Sequence, residues 1–198
     1  MTRVTRSKLL YLSVLIACVG IGIYLGIRLN SLPLLAGLVV LLLLLGRVQA
    51  YFWRNFYKGR RALGLQRFVD AQRYFEAFLV ELDRRAWLEH LSVITWQIYT
   101  PNVRAMTLNN LGVAHLYFAE VDLVEIDLAE QAFRKAISLD ADYPKPYYNL
   151  ALLYAARNKQ TEADDYLDKA VQLGFSGSLD DALVSHLGRL LATANSNL

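Results

Sequence analysis

The chain has 198 residues, 55% of them hydrophobic, and a net charge of +3, against about 45–50% apolar residues in ordinary soluble domains. The charge is split: residues 1–69 hold ten Lys/Arg and no Asp or Glu, while residues 70–198 hold eleven Lys/Arg against eighteen Asp/Glu and sum to −7. The formal pI near 9.0 therefore does not mark a nucleic-acid-binding domain, and the single cysteine, Cys18, excludes an intramolecular disulfide.

The first predicted element is an apolar helix over about residues 9–29. Leu9 to Ile27 is a run of 19 residues without a charge, about 28 Å as a helix. The basic start (Arg3, Arg6, Lys8) fits a signal peptide, but the run exceeds an h-region of about 7–15 residues. No small-x-small cleavage site follows in "IRLNSLPLL", so the helix is expected to stay. A second helix is predicted over 32–53. Its charge-free part, Leu32 to Leu45, is too short to cross a bilayer alone. It crosses if it continues to Trp53, with Arg47 snorkelling to the headgroups and Tyr51, Phe52, Trp53 and Tyr57 as an aromatic belt. Asn30-Ser31 makes the turn, and Pro33 falls in the first turn of the second helix, where its missing N–H is harmless.

Residues 1–53 thus read as a transmembrane hairpin. Three basic residues precede it, one (Arg28) lies at the turn, and six fall between Arg47 and Arg67. That bias predicts a plasma or inner membrane protein with both termini cytoplasmic and membrane lipid as one partner. Gly22 and Gly26 form a G-x-x-x-G pair with two readings: packing on the hairpin's own second helix, with Ala36 and Gly37 opposite, or a homodimer.

Residues 54–198 read as a cytoplasmic all-α domain. Ala71, Phe75 and Phe78, then Ala129, Phe133 and Ala136, then Ala163, Leu167 and Ala170 share a spacing of four and three, which puts each trio on one helical face. The second and third trios lie 34 residues apart at every position. Upstream of each is another helical stretch with a small residue where two helices would cross: Gly59, Gly112 and Ala151.

This pattern resembles the tetratricopeptide repeat, a 34-residue helix-turn-helix unit. The third segment, "YYNLALLYAARNKQTEADDYLDKAVQL", places Tyr147, Leu150, Ala151, Tyr154, Ala163, Leu167 and Ala170 in its register. The resemblance implies a right-handed α-solenoid of about three repeats, at about 53–81, 103–140 and 144–173. A C-terminal cap helix is expected at 178–194, with Ser178 and Asp181 as a capping box and Leu183, Leu187 and Leu190 as its apolar face.

An insertion, residues 82–102, interrupts the array. Read as a helix, it has an apolar face of Trp87, Leu91, Ile94 and Ile98, widened by Val93 and Trp96 and preceded by Arg84 and Arg85. It either docks at the membrane interface, which would make Arg47, Trp53, Arg84, Arg85, Trp87 and Trp96 interfacial residues, or folds back over the first repeat.

No constellation suggests an enzyme, a cofactor or a metal site. His90, His115 and His186 show no ligand spacing, Asp164, Asp165 and Asp168 read as a solvated face, and no phosphate-binding, nucleophile-elbow or zinc-protease motif occurs. His115 is expected to be packed or to line a groove. What such repeats imply is a concave groove along their first helices, suited to a peptide segment or a partner helix. Its candidate lining is Asn109, Asn110, Val113 and Tyr117 from the second repeat, with Lys145, Tyr148, Asn149 and Leu152 from the third. Two functions fit: a membrane-tethered adaptor that binds protein partners, or an assembly factor or accessory subunit of an integral-membrane complex.

Overall fold

The computed structural model describes residues 3–94, 100–118 and 124–195, and all their regular structure is helical. Helix α1 (Arg3–Arg28) turns into α2 (Leu32–Phe52). The turn closes as a Schellman motif: Asn30 takes the left-handed conformation (φ 46°), its N–H donates to Ile27 O, and Ser31 N–H donates to Gly26 O. Helix α2 is long and apolar enough to cross a membrane, and Leu15–Arg28 of α1 is apolar over a shorter stretch. Gly22 and Gly26 are taken up inside this pair. A methyl on Gly22 would sit 2.8 Å from the Leu38 side chain, and Gly26 faces Leu35. The residues opposite are leucines rather than Ala36 and Gly37.

At Trp53 the helix yields for one residue and resumes as α3 (Arg54–Gly64). Hydrogen bonding bridges the joint, from Trp53 N–H to Gln49 O and from Tyr57 N–H to Trp53 O. Helix α4 (Phe68–Arg84) returns antiparallel to α3. Their shared core is aromatic: Trp53, Phe56, Phe75 and Phe78 are all buried, with ring centroids 5.6–6.0 Å apart along the Phe56–Phe75, Phe56–Phe78, Trp53–Phe56 and Trp53–Phe78 contacts. Trp53 is 0% exposed and its indole N–H donates to Leu88 O at 3.3 Å. It belongs to this core and not to a headgroup belt, because its position on the helix is the one that meets α4.

The insertion forms a 3₁₀ segment, Ala86–Ile94, instead of an α-helix. The tighter winding changes which residues share a face. Leu88 is the fully buried residue, Leu91 is partly buried against the same core, and Trp87 remains 46% exposed. Trp87 meets Phe52 edge-on at 5.0 Å, and Arg85 lies over the Phe52 ring while binding Glu81. The segment thus covers the first helix pair and also touches the end of α2. Arg47 and Arg84 are exposed, and Trp96 and Ile98 lie outside the described residues.

The second and third pairs are α5 (Val103–Phe118) with α6 (Val124–Leu139), and α7 (Pro144–Ala156) with α8 (Gln160–Gln172). Asn102 caps α5, its side chain accepting from Ala105 N–H and donating to Leu139 O. The pairs stack in order, α5 on α4 and α7 on α6. An ion-pair hub fastens the last junction: Glu130 of α6 accepts from Arg134, Tyr154 and Arg157, and Arg157 also reaches Asp127. Between α4, α5 and α6, Gln72 donates to Glu125 at 2.7 Å and His115 Nδ1 lies 2.5 Å from the same carboxylate. His115 is buried in that seam and does not line the groove.

Candidate partner-binding groove

The groove face is set by the repeat register. Gly59 and Gly112 let α3 and α5 lie against the rings of Phe75 and Phe133. Whatever follows each small residue then turns away from the second helix. Arg60, Val113 and Leu152 occupy that equivalent place on α3, α5 and α7. Arg60, absent from the lining expected above, is exposed at the register position that Val113 and Leu152 hold on their helices.

The expected lining residues are not equally open. Asn149 Nδ2 donates to Asn109 Oδ1 at 2.9 Å, tying α7 to α5. Asn109 is 3% exposed and Leu152 2%, so both are covered rather than presented. Asn110, Lys145, Tyr148 and Asn149 are half-buried. Tyr117 is 42% exposed and stacks on Phe68 of α4 at 5.5 Å. Burial, and then the nearby Arg60 guanidinium, lower the Lys145 ammonium below its ordinary pKa. Arg60 of α3 and Lys145 of α7 therefore lie near enough for their charges to act on one another.

Part of the covering comes from the C-terminal segment. Helix α8 also ends in a Schellman motif, with Gly174 at φ 93° and Phe175 N–H donating to Ala170 O. The chain then crosses α7: the Phe175 ring stacks on Tyr148 at 4.3 Å, and the Asp180 backbone hydrogen-bonds the Tyr148 hydroxyl. Burial, and then the Asp180 charge, push the Tyr148 phenol up. Helix α9 (Asp181–Asn195) starts three residues later than the expected cap helix. Its cap is Asp180, whose carboxylate accepts from Leu183 N–H at 3.1 Å, in place of Ser178.

Residues 144–173 match the tetratricopeptide repeat family. No curated protein matches the chain. The matched stretch is the third helix pair, α7 with α8, which carries Lys145, Tyr148, Asn149 and Leu152. Over that pair the chain is similar to the tetratricopeptide repeat family, and the similarity suggests a protein–protein interaction role.

Proposed function

We propose that the protein is a membrane-tethered adaptor that holds a protein partner, a peptide segment or a helix, in the groove of its helix pairs at the cytoplasmic face. The observation that carries the reading is one of connection. An apolar helix with outward leucines and valines (Val39, Val40, Leu41, Leu43 and Leu44 are all exposed) runs through a one-residue joint into the first helix of a repeat-like stack. In water such a face is costly to leave open; lipid would cover it. Helix α1 would cross beside α2, with Asn30 and Ser31 on the far side. Phe52, Arg85 and the half-exposed Trp87 would sit where α2 leaves the bilayer. The groove offers polar groups at Asn110 and Lys145 beside apolar area at Tyr117 and Tyr148, a mixture suited to a polypeptide.

A second reading, an accessory subunit or assembly factor of an integral-membrane complex, is favoured by Gly20 and Gly37. Both have open space where a side chain would be, as helix–helix contacts in membranes use.

A photo-crosslinker at Asn110, compared with one at exposed Asp168 of α8, tests the adaptor reading in intact membranes. Capture of a discrete protein from Asn110 and not from Asp168 supports it. Asn110→Ala with Lys145→Ala should then weaken capture by about two to four decades, at ~1–3 kcal/mol for each hydrogen bond to the partner that the truncation removes. Capture only from a crosslinker at Gly37 would favour the second reading.

A further inference from the structure

The series α4–α5 and α6–α7 has each first helix resting on the preceding second helix, so a terminal cap would rest on α8. Helix α9 packs chiefly on α7 instead. Two anchor points fix its course. Asp180 meets Tyr148, and Gly188 lies against Ala156, where an added methyl would sit 3.3 Å from the Ala156 carbonyl oxygen. Both chains advance eight residues between these points, so α9 runs alongside α7 in the same direction. Leu152, the central groove residue of α7, falls midway. One apolar cluster joins Leu116 and Val113 of α5, Leu153 and Ala156 of α7, Ala163 and Tyr166 of α8, and Leu183, Leu187, Leu190 and Leu191 of α9.

We infer that α9 is an internal occupant of the groove, and that the partner is an amphipathic helix bearing leucines at α9's spacing (i, i+4, i+7), which binds by displacing it. The inference rests on the groove reading and specifies its ligand. The apolar burial of α9 is partial. Of its four leucines only Leu187 is fully buried, whereas α6 of the same cluster buries Ile126, Ala129 and Phe133 completely. The joint is also extensible: "GFSGSLD", residues 174–180, carries two glycines and two serines and makes no regular structure. A helix tethered so closely has a high effective concentration, so the groove is closed to weak competitors and opens to a tighter one.

The test uses the full chain in nanodiscs and a dye-labelled synthetic peptide of residues 178–195. The unaltered chain should bind the peptide weakly. Leu187→Glu in the chain should release α9 and tighten peptide binding by at least about tenfold, the scale of one buried leucine. A peptide carrying the same substitution should not bind. No saturable binding to a Leu187→Glu chain that retains its helical signal and cooperative melting would overturn the proposal. So would collapse of the whole domain on that substitution. Hydrogen exchange in the unaltered chain provides a second arm: α9 amides should exchange at least about tenfold faster than those of α7. Equal protection would mean that α9 never leaves. The peptide assay needs no native partner, so its failure leaves the adaptor reading standing. A chain that binds the peptide yet captures no cellular protein sinks the adaptor reading, and the partner with it, but leaves α9 as the occupant of the groove.

Discussion

Gly112 of α5 lies so close to Phe133 of α6 that a methyl added at its Cα would sit 2.6 Å from the ring, and Gly59 stands in the same relation to Phe75. In the third pair Ala151 is fully buried and Leu167 holds the register place of Phe133. The small residue and the large one trade volume from pair to pair. Gly112→Ala should overpack the second pair and cost about 1–3 kcal/mol, with Gly59→Ala behaving alike. The reverse change, Ala151→Gly, should also cost about 0.5–1 kcal/mol, through backbone entropy instead of a clash. Urea denaturation of the three variants checks this; a stabilised Gly112→Ala chain would mean that the two helices have room to separate.

The Glu130 hub makes an acid-side prediction. Burial opposes its charge, but hydrogen bonds from Arg134, Arg157 and Tyr154 outweigh that and hold its carboxyl below the ordinary pKa. The folded protein then binds this proton less readily than the unfolded chain. The stability it contributes is complete above the unfolded value, ~4.3, and disappears as pH falls through the lower folded value. Glu130→Gln should lower stability at pH 7 by about 1–3 kcal/mol and flatten the loss of stability below about pH 4. Thermal melting from pH 3 to 7 reads both effects.

Gln66 ends α3 in the left-handed region (φ 57°), with Arg67 N–H donating to Ala62 O. A glycine loses little there and relieves the strain on Cβ. Gln66→Gly should therefore stabilise the domain by about 0.5–1 kcal/mol. Gln66→Val should destabilise it, since a β-branched residue fits that region worst. Denaturation midpoints distinguish the two.

For the membrane arrangement, a cysteine at Ser31 in a Cys18→Ala background should react with an impermeant thiol reagent in intact cells, and a cysteine at Ser196 should not. The opposite pattern would invert the orientation. Labelling of both would mean that the hairpin does not cross.

The helix pairs are legible in the sequence because their signal is local. Alternation of four and three, and a 34-residue offset, survive whatever the tertiary contacts. Trp53 reads wrongly as a belt residue because Trp beside Arg after an apolar run has the composition of a membrane exit, and only the face it presents to α4 reveals it as core. The insertion keeps its apolar residues but winds as 3₁₀, which moves Leu88 inside and Trp87 half out. The residues expected to line a groove divide by burial, Asn109 and Leu152 covered and Tyr117 exposed, a division that helical register alone does not give. Nothing in the sequence foretells that Phe175 stacks on Tyr148, because a loop's path across a neighbouring helix leaves no periodic trace.

The joint at Trp53 has a mechanical consequence. A flexible spacer would let the repeat stack wander over a hemisphere above its anchor and sample targets at many heights and angles. Here the i→i−4 hydrogen bonds resume on either side of a single residue, and that residue is clamped by Phe56, Phe78 and the Leu88 carbonyl. On the proposed tethering, the stack would behave like a bracket fixed to a post, with its opening at a set elevation and tilt. Binding would then lose little rotational freedom, which would favour tight capture of anything presented at that height and leave a target held elsewhere out of reach however well its surface fits.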